Sequence, residues 1–287
     1  MTNVQLSVVV PIYNEQDNIL ELYNRLSKTC SEITNSYEII FINDGSRDNS
    51  LQLIIELANK DSKVFYLDLS RNFGHQLAVT AGLDASKGKA VVIIDADLQD
   101  PPELITELNN KFQEGYEVVY ATREKRIGDS YFKKFTAKLF YKILANFSNV
   151  KIPVDTGDFR IIDRKIVDLL KQMPEQNKFL RGQISWLGFR QTSISFHRQE
   201  RKHGQTGYPL SKMLSFAIDG LTSFSDVPLK LVTRLGFFIS MFSFGIILFA
   251  IYSHFFLHRT ITGWTSLIIS SMFIGGVQLF SIGIIGE

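Results

Sequence analysis

The chain has 287 residues, enough for one large domain or two small ones with a proper core. Its 31 Lys and Arg against 29 Asp and Glu leave a net charge of +2, so nothing draws it electrostatically to nucleic acid and none is expected as a partner. The lone cysteine, Cys30, excludes an intramolecular disulfide and fits a reducing compartment.

Residues 6–11 (LSVVVP) are an apolar run that predicts a buried strand, followed by Tyr13-Asn14-Glu15 and a helix over 18–33. A second strand is expected at 37–42. It ends in Asn43-Asp44-Gly45-Ser46, and Asp48 is a good N-cap for a helix running to about residue 60. A third strand, 64–68, leads through Arg71-Asn72-Phe73-Gly74 to a helix over 76–85, with His75 read as a cap-region or packing residue.

The stretch 90–102 (AVVIIDADLQDPP) concentrates the chemistry. Its apolar, β-branched start reads as a strand buried on both faces, and it ends in three carboxylates, Asp95, Asp97 and Asp100. Ligands of open α/β sheets bind outside the carboxyl ends of the strands. Alternate aspartates leaving a strand can turn oxygens toward one hard divalent cation. An acidic loop opening the next helix is the plain alternative, because D-x-D is short and common. A helix over 102–114 and a strand at 117–121 complete an alternation that predicts an α/β fold, a mostly parallel sheet with helices on both faces. No G-x-G-x-x-G follows a strand and no G-x-x-x-x-G-K-[ST] occurs, so dinucleotide-binding and P-loop readings lack support.

Residues 123–142 turn basic, with interleaved aromatics, and read as an amphipathic helix suited to an anionic membrane surface; a solvated charged face is the alternative. A turn at 155–160 enters a short strand, 159–162. Helices follow at 163–172 and 176–186, then a strand at 192–197 and a polar loop, 199–208. Residues 209–230 are amphipathic and read as interfacial helices. Residues 235–256 and 264–286 are apolar over about 22 and about 23 residues, each long enough for a hydrocarbon core of roughly 30 Å. The expectation is a two-helix transmembrane hairpin, with buried core helices as the alternative. Lys230 and Arg234 put the head in the cytoplasm, at the inner membrane, and no signal peptide is expected. The expected domains are therefore a catalytic head over 1–208, juxtamembrane helices over 209–232 and the hairpin over 233–287. Self-association would stabilise so small an anchor, so a homo-oligomer is a further expectation.

Five pieces carry a family resemblance: VVVPIYNEQDNI at 8–19, INDGSRDNS at 42–50, LSRNFG at 69–74, DADLQDPPE at 95–103 and TGDFRIIDR at 156–164. In this order the sequence resembles the family 2 glycosyltransferases of GT-A fold. Within them it is similar to the polyprenyl-phosphate group that includes bactoprenol glucosyltransferases and enzymes like dolichol-phosphate mannose synthase.

The resemblance implies that Pro11, Tyr13, Glu15, Asp44, Arg71, Asp95 and Ala96 bind the nucleotide, Asp44 taking the uracil or ribose. It implies that Asp95, Asp97 and Gln99 hold Mg²⁺ or Mn²⁺ on the diphosphate. Arg123, Lys133 and Lys134 would hold the phosphate of a polyprenyl phosphate acceptor, and Arg201 would reach over the diphosphate. Asp158 is the first choice for a catalytic aspartate and Asp155 the second, with turn formation as the alternative for both; Asp97 and Arg201 complete the catalytic set. The implied reaction is inverting transfer of one hexose, glucose from UDP-glucose, to undecaprenyl phosphate. Two alternatives stay open: a glycan or glycolipid acceptor, and a membrane adaptor that binds a sugar nucleotide without turnover. The Q-x-x-R-W of processive synthases is missing, which favours single transfer.

Overall fold

Short apolar strands flanked by amphipathic helices bury their two faces only by pairing edge to edge and taking helices on each side. The computed structural model describes residues 4–123, 156–175, 178–196, 227–257 and 263–286, and these fall into two units. In the first, β1 (Leu6–Ile12), β2 (Tyr37–Asn43), β3 (Val64–Asp68) and β4 (Ala90–Ile93) alternate with α1 (Ile19–Ile33), α2 (Ser50–Lys60) and α3 (His75–Ala85). Next come α4 (Leu104–Gln113), β5 (Val118–Arg123), β6 (Thr156–Asp163), α5 (Arg164–Gln172), α6 (Leu180–Trp186) and β7 (Gln191–Phe196).

The seven strands form one mixed sheet in the order β3-β2-β1-β4-β6-β5-β7. β1 to β4 are parallel, β6 runs antiparallel to both β4 and β5, and β7 is parallel to β5. Side-chain alternation sorts the core into two layers. Val8, Val10, Phe41 and Val92 pack with Leu22 and Leu26 of α1, Ile54 of α2 and Leu108 of α4. Val9, Ile40, Ile42 and Val91 pack on the other face with Val79 and Leu83 of α3 and Ile166 and Leu170 of α5. Gly82 lets α3 settle on the sheet, since a Cβ there would lie 2.4 Å from a Val9 methyl.

Several boundaries shift from expectation. The helix expected from Asp48 begins at Ser50 with Asn49 as its N-cap. Asp48 instead accepts from Ser50 N at 3.0 Å and from Gln16 N at 3.2 Å, tying α2 to the loop after β1. The helix expected over 176–186 begins only at Leu180, and the one expected from 102 begins at Leu104, so Asp100 is buried in the turn before it.

The second unit holds α7 (Val227–Tyr252), a π-helical turn (Ser253–Leu257) and α8 (Trp264–Gly286). Its two helices pack along each other, and a Cβ on Gly276 would lie 3.2 Å from Ser240 Oγ. Among the described residues no helix is long and apolar enough to cross a membrane. The expected transmembrane hairpin therefore lacks support. The localisation built on it, an inner-membrane anchor with a cytoplasmic head, is corrected and withdrawn. The basic stretch after Arg123, the loop at 199–208 and positions 209–226 of the helices expected over 209–230 lie outside the described residues, while 227–230 form the start of α7.

Cys30 lies on the buried face of α1 and is fully enclosed. Burial pushes its thiol up to about 12, so the nucleophilic thiolate is scarce at neutral pH. Native protein at pH 8 should resist iodoacetamide, whereas protein in urea is labelled at Cys30 at least about a hundredfold faster; mass spectrometry of the labelled peptide reads the difference.

Candidate active site

Register brings the site together. In β4 and β6 Ile93 opposes Arg160, and continuing that antiparallel register by two residues sets Asp95 opposite Asp158. On the other flank Val9 opposes Ile93, so Pro11 falls in line with Asp95. Asp44, one residue past β2, donates its N–H to Ile12 O at 2.8 Å. Pro11, Asp44, Asp95 and Asp158 thus share the carboxyl edge of β1, β2 and β4.

At the end of β2 the Asp44 carboxylate is buried and accepts from Phe73 N at 2.7 Å and Gly74 N at 2.9 Å. It therefore shapes the loop entering α3. Gly45 makes this turn possible: its φ is +66°, and a Cβ would meet the Arg71 and Asn72 backbone at 2.6 Å. Arg71 lies exposed over the Phe73 ring, 4.0 Å from its centroid. The loops after β1 and β2 are stitched together. Asn14, in the left-handed region at φ 56°, donates from its N–H to Ser46 Oγ at 3.0 Å and accepts from Arg47 N at 2.7 Å. Glu15 N donates to Ser50 Oγ at 3.0 Å. Tyr13 is 43% exposed beside this stitching.

The D-x-D turn is tight. Ala96 and Asp97 are buried, Asp97 accepts from Gln99 N at 3.1 Å, and Leu98 sits buried at φ 58°. Asp158 is buried and held by several side-chain donors. Arg181 of α6 chelates it, Nε to Oδ1 at 2.7 Å and a terminal nitrogen to Oδ2 at 3.1 Å. His75 Nε2 is 3.0 Å and Gln76 Nε2 3.3 Å from Oδ2. Behind it the fully buried Arg160 donates to the carbonyls of Asp158 and Gly157, and burial lowers its guanidinium to about 10.

His75 also lies 3.5 Å from Asp95 Oδ1, so one imidazole bridges two carboxylates. Burial alone would lower it, but the Asp95 charge and the bond to Asp158 hold it up at about 9. For Asp158 burial acts upward, yet the Arg181 charge and the His75 and Arg181 hydrogen bonds hold it well below the usual carboxylate range. Burial pushes Asp95 up, and the charges of Asp158 and Asp97 add to it against the pull of His75.

Of the residues expected at the site, the structure groups Pro11, Asp44, Asp95, Ala96, Asp97, Gln99 and Asp158 along one edge, with Tyr13, Glu15 and Arg71 on the adjoining loops. Arg123 ends β5; its side chain, and Asp155, Lys133, Lys134 and Arg201, lie outside the described residues. Two residues that the sequence did not assign join the site: His75, read as cap or packing, and Arg181, unnoticed on a helix without a local acidic partner. Only the coming together of 75, 158 and 181 reveals them, and no short motif spans those separations.

Among the described residues no three His, Cys, Asp or Glu stand together as a metal cluster. The donor set nonetheless fits a hard cation of the kind that takes one or two carboxylates and completes its shell with substrate phosphate and water. Asp95 Oδ1 is buried without a hydrogen-bond partner, and Asp97 follows two residues later on the same turn.

Residues 7–170 match the family described as glycosyl transferase family 2. The chain belongs to that family. As a family 2 glycosyltransferase it is 48% identical over 285 residues to the Bacillus subtilis glycosyltransferase YkcC, covering 99% of this chain and 88% of that one. It is 39% identical over 284 residues to the bactoprenol glucosyl transferase of Shigella phage SfV, covering 99% and 92%. The fold of this family 2 enzyme is similar to that of glucosyl-3-phosphoglycerate synthase from Mycobacterium tuberculosis crystallised with Mn²⁺, UDP and glucosyl-3-phosphoglycerate. That likeness has a TM-score of 0.50 at 18% identity, over 77% of this chain and 79% of that one. The GT-A character of the mixed sheet agrees with the resemblance read from the motifs.

The raised His75 generates a pH prediction. A folded pKa of about 9 at His75, above roughly 6.5 when unfolded, supplies stability fully present below pH 6.5 and lost as the pH rises through 9. In urea melts without metal, wild type should lose on the order of 2 kcal/mol across that window, and His75→Gln should lose much less. Gly45→Ala should cost about 1–3 kcal/mol through strain at positive φ and collision with residues 71 and 72, read as a lower urea midpoint.

Proposed function

We propose that this family 2 glycosyltransferase moves a single hexose, glucose, from UDP-glucose to a polyprenyl phosphate, undecaprenyl phosphate, with inversion at the anomeric carbon. The observation that carries the reading is the likeness to the Shigella phage SfV bactoprenol glucosyl transferase over nearly the whole of both chains, and the site chemistry supports it. Asp44, Pro11, Tyr13, Glu15, Arg71 and Ala96 are the proposed nucleotide contacts, the Asp44 carboxylate accepting from uracil N3–H or a ribose hydroxyl.

Asp95, Asp97 and Gln99 would hold Mg²⁺ or Mn²⁺, which when bound neutralises charge on the leaving diphosphate as a Lewis acid. Arg123, Lys133 and Lys134 are proposed for the acceptor phosphate and Arg201 for the diphosphate, where a planar guanidinium suits phosphate oxygens. An acceptor oxygen attacks the anomeric carbon as the bond to the diphosphate breaks, and UDP leaves. A phosphate monoester is largely ionised near neutral pH, with a second pKa of about 6, so no strong base is required. This agrees with an Asp158 whose oxygens are already taken up by Arg181, His75 and Gln76. Asp158 accordingly serves as a fixed negative charge and orienting group.

The test is radiolabelled UDP-glucose with undecaprenyl phosphate and Mg²⁺ or Mn²⁺. Label should pass into an organic-soluble product, and none with any common sugar nucleotide would overturn the proposal. EDTA should abolish transfer reversibly. Asp97→Asn should lower kcat/KM at least about a hundredfold, as expected for loss of several kcal/mol of charge stabilisation.

A further inference from the structure

We propose that Arg181 is a positioning residue of the glycosyl transfer, acting through Asp158; this rests on the reading of Asp158 as the fixed, orienting charge of the transfer site. Asp158 enters the site on β6, and nothing in β6 itself fixes its carboxylate plane. Arg181 does so from α6 by a two-nitrogen grip at 2.7 and 3.1 Å, a geometry that sets both distance and orientation. Gln76 closes the arrangement. Its Nε2 is 3.3 Å from Asp158 Oδ2, and its Oε1 accepts from Leu180 N at 3.2 Å, so the start of α6 is tied to the start of α3.

The held carboxylate in turn fixes His75, 3.0 Å away, and His75 faces Asp95 at 3.5 Å. The chain of contacts thus runs from α6 through Asp158 and His75 to the D-x-D edge. It spans residues from distant parts of the sequence, and every side chain in it is charged or polar. Breaking it at Arg181 leaves a buried carboxylate that has, among the described residues, only His75 and Gln76 as side-chain donors, free to turn out of line.

The experiment compares wild type, R181Q, R181K, D158N and R181Q/D158N by release of nucleoside diphosphate from the sugar nucleotide that turns over, with circular dichroism melts to establish folding. R181Q should lower kcat about a hundredfold while KM for the sugar nucleotide stays within about twofold. R181K, which keeps the charge without the two-nitrogen grip, should recover about tenfold. The double variant should be no worse than D158N, because residues acting as a unit are non-additive. Multiplying effects, or a raised KM with unchanged kcat, would overturn the proposal.

A second readout needs no turnover. The Arg181 Nε–H resonance, assigned by its loss in R181K, should exchange slowly with water in wild type and rapidly in D158N. Rapid exchange in wild type overturns the proposal whatever the kinetics show. Diphosphate release without transfer to undecaprenyl phosphate would defeat the proposed acceptor while leaving the Arg181 coupling to be read from the same rates.

Discussion

The site depends on one pairing, that of β6 against β4. A parallel sheet built from β1 to β4 alone would end at β4 with a D-x-D turn facing solvent. Antiparallel insertion of β6 delivers Asp158 from a remote stretch of chain to the position opposite Asp95. Because β6 runs the other way, its start rather than its end lies at the carboxyl edge. The Thr-Gly-Asp piece therefore meets the Asp-Ala-Asp piece.

That meeting sets negative charge against negative charge in a partly buried place, which is unfavourable unless positive groups intervene. His75, Arg181 and the enclosed Arg160 supply them. The compensation is uneven: Asp158 receives a bidentate guanidinium, whereas Asp95 keeps an oxygen without a hydrogen-bond donor. The edge is thus graded from a fixed, ionised carboxylate to one that is incompletely satisfied. A cation-bearing diphosphate is the natural complement of the second, and an immobile charge the natural property of the first.

Much of this was legible in the sequence where burial forces a simple pattern. Strands enclosed on both faces must be apolar throughout, so β1, β2 and β4 stood out, and the carboxylates that end them marked the edge. Helix limits were less legible, because Asp48 serves a loop contact to Gln16 as well as the turn before α2. The pair His75 and Arg181 was not legible, since its meaning lies in distances across the fold. The apolar stretches near the end of the chain illustrate the opposite hazard. Composition alone led to a membrane-spanning hairpin and a localisation that the described helices do not support.

The β4–β6 pairing also has a consequence for biosynthesis. β4 is complete once residue 93 is made, but its partner starts only at Thr156. At about 5–20 residues per second the ribosome takes roughly 3–12 s to supply it. During that interval a wholly apolar strand at the centre of the future sheet shows one unsatisfied ladder of amides and carbonyls, the template on which strands of other chains add. Truncations ending between β5 and β6 would leave that ladder without its native partner.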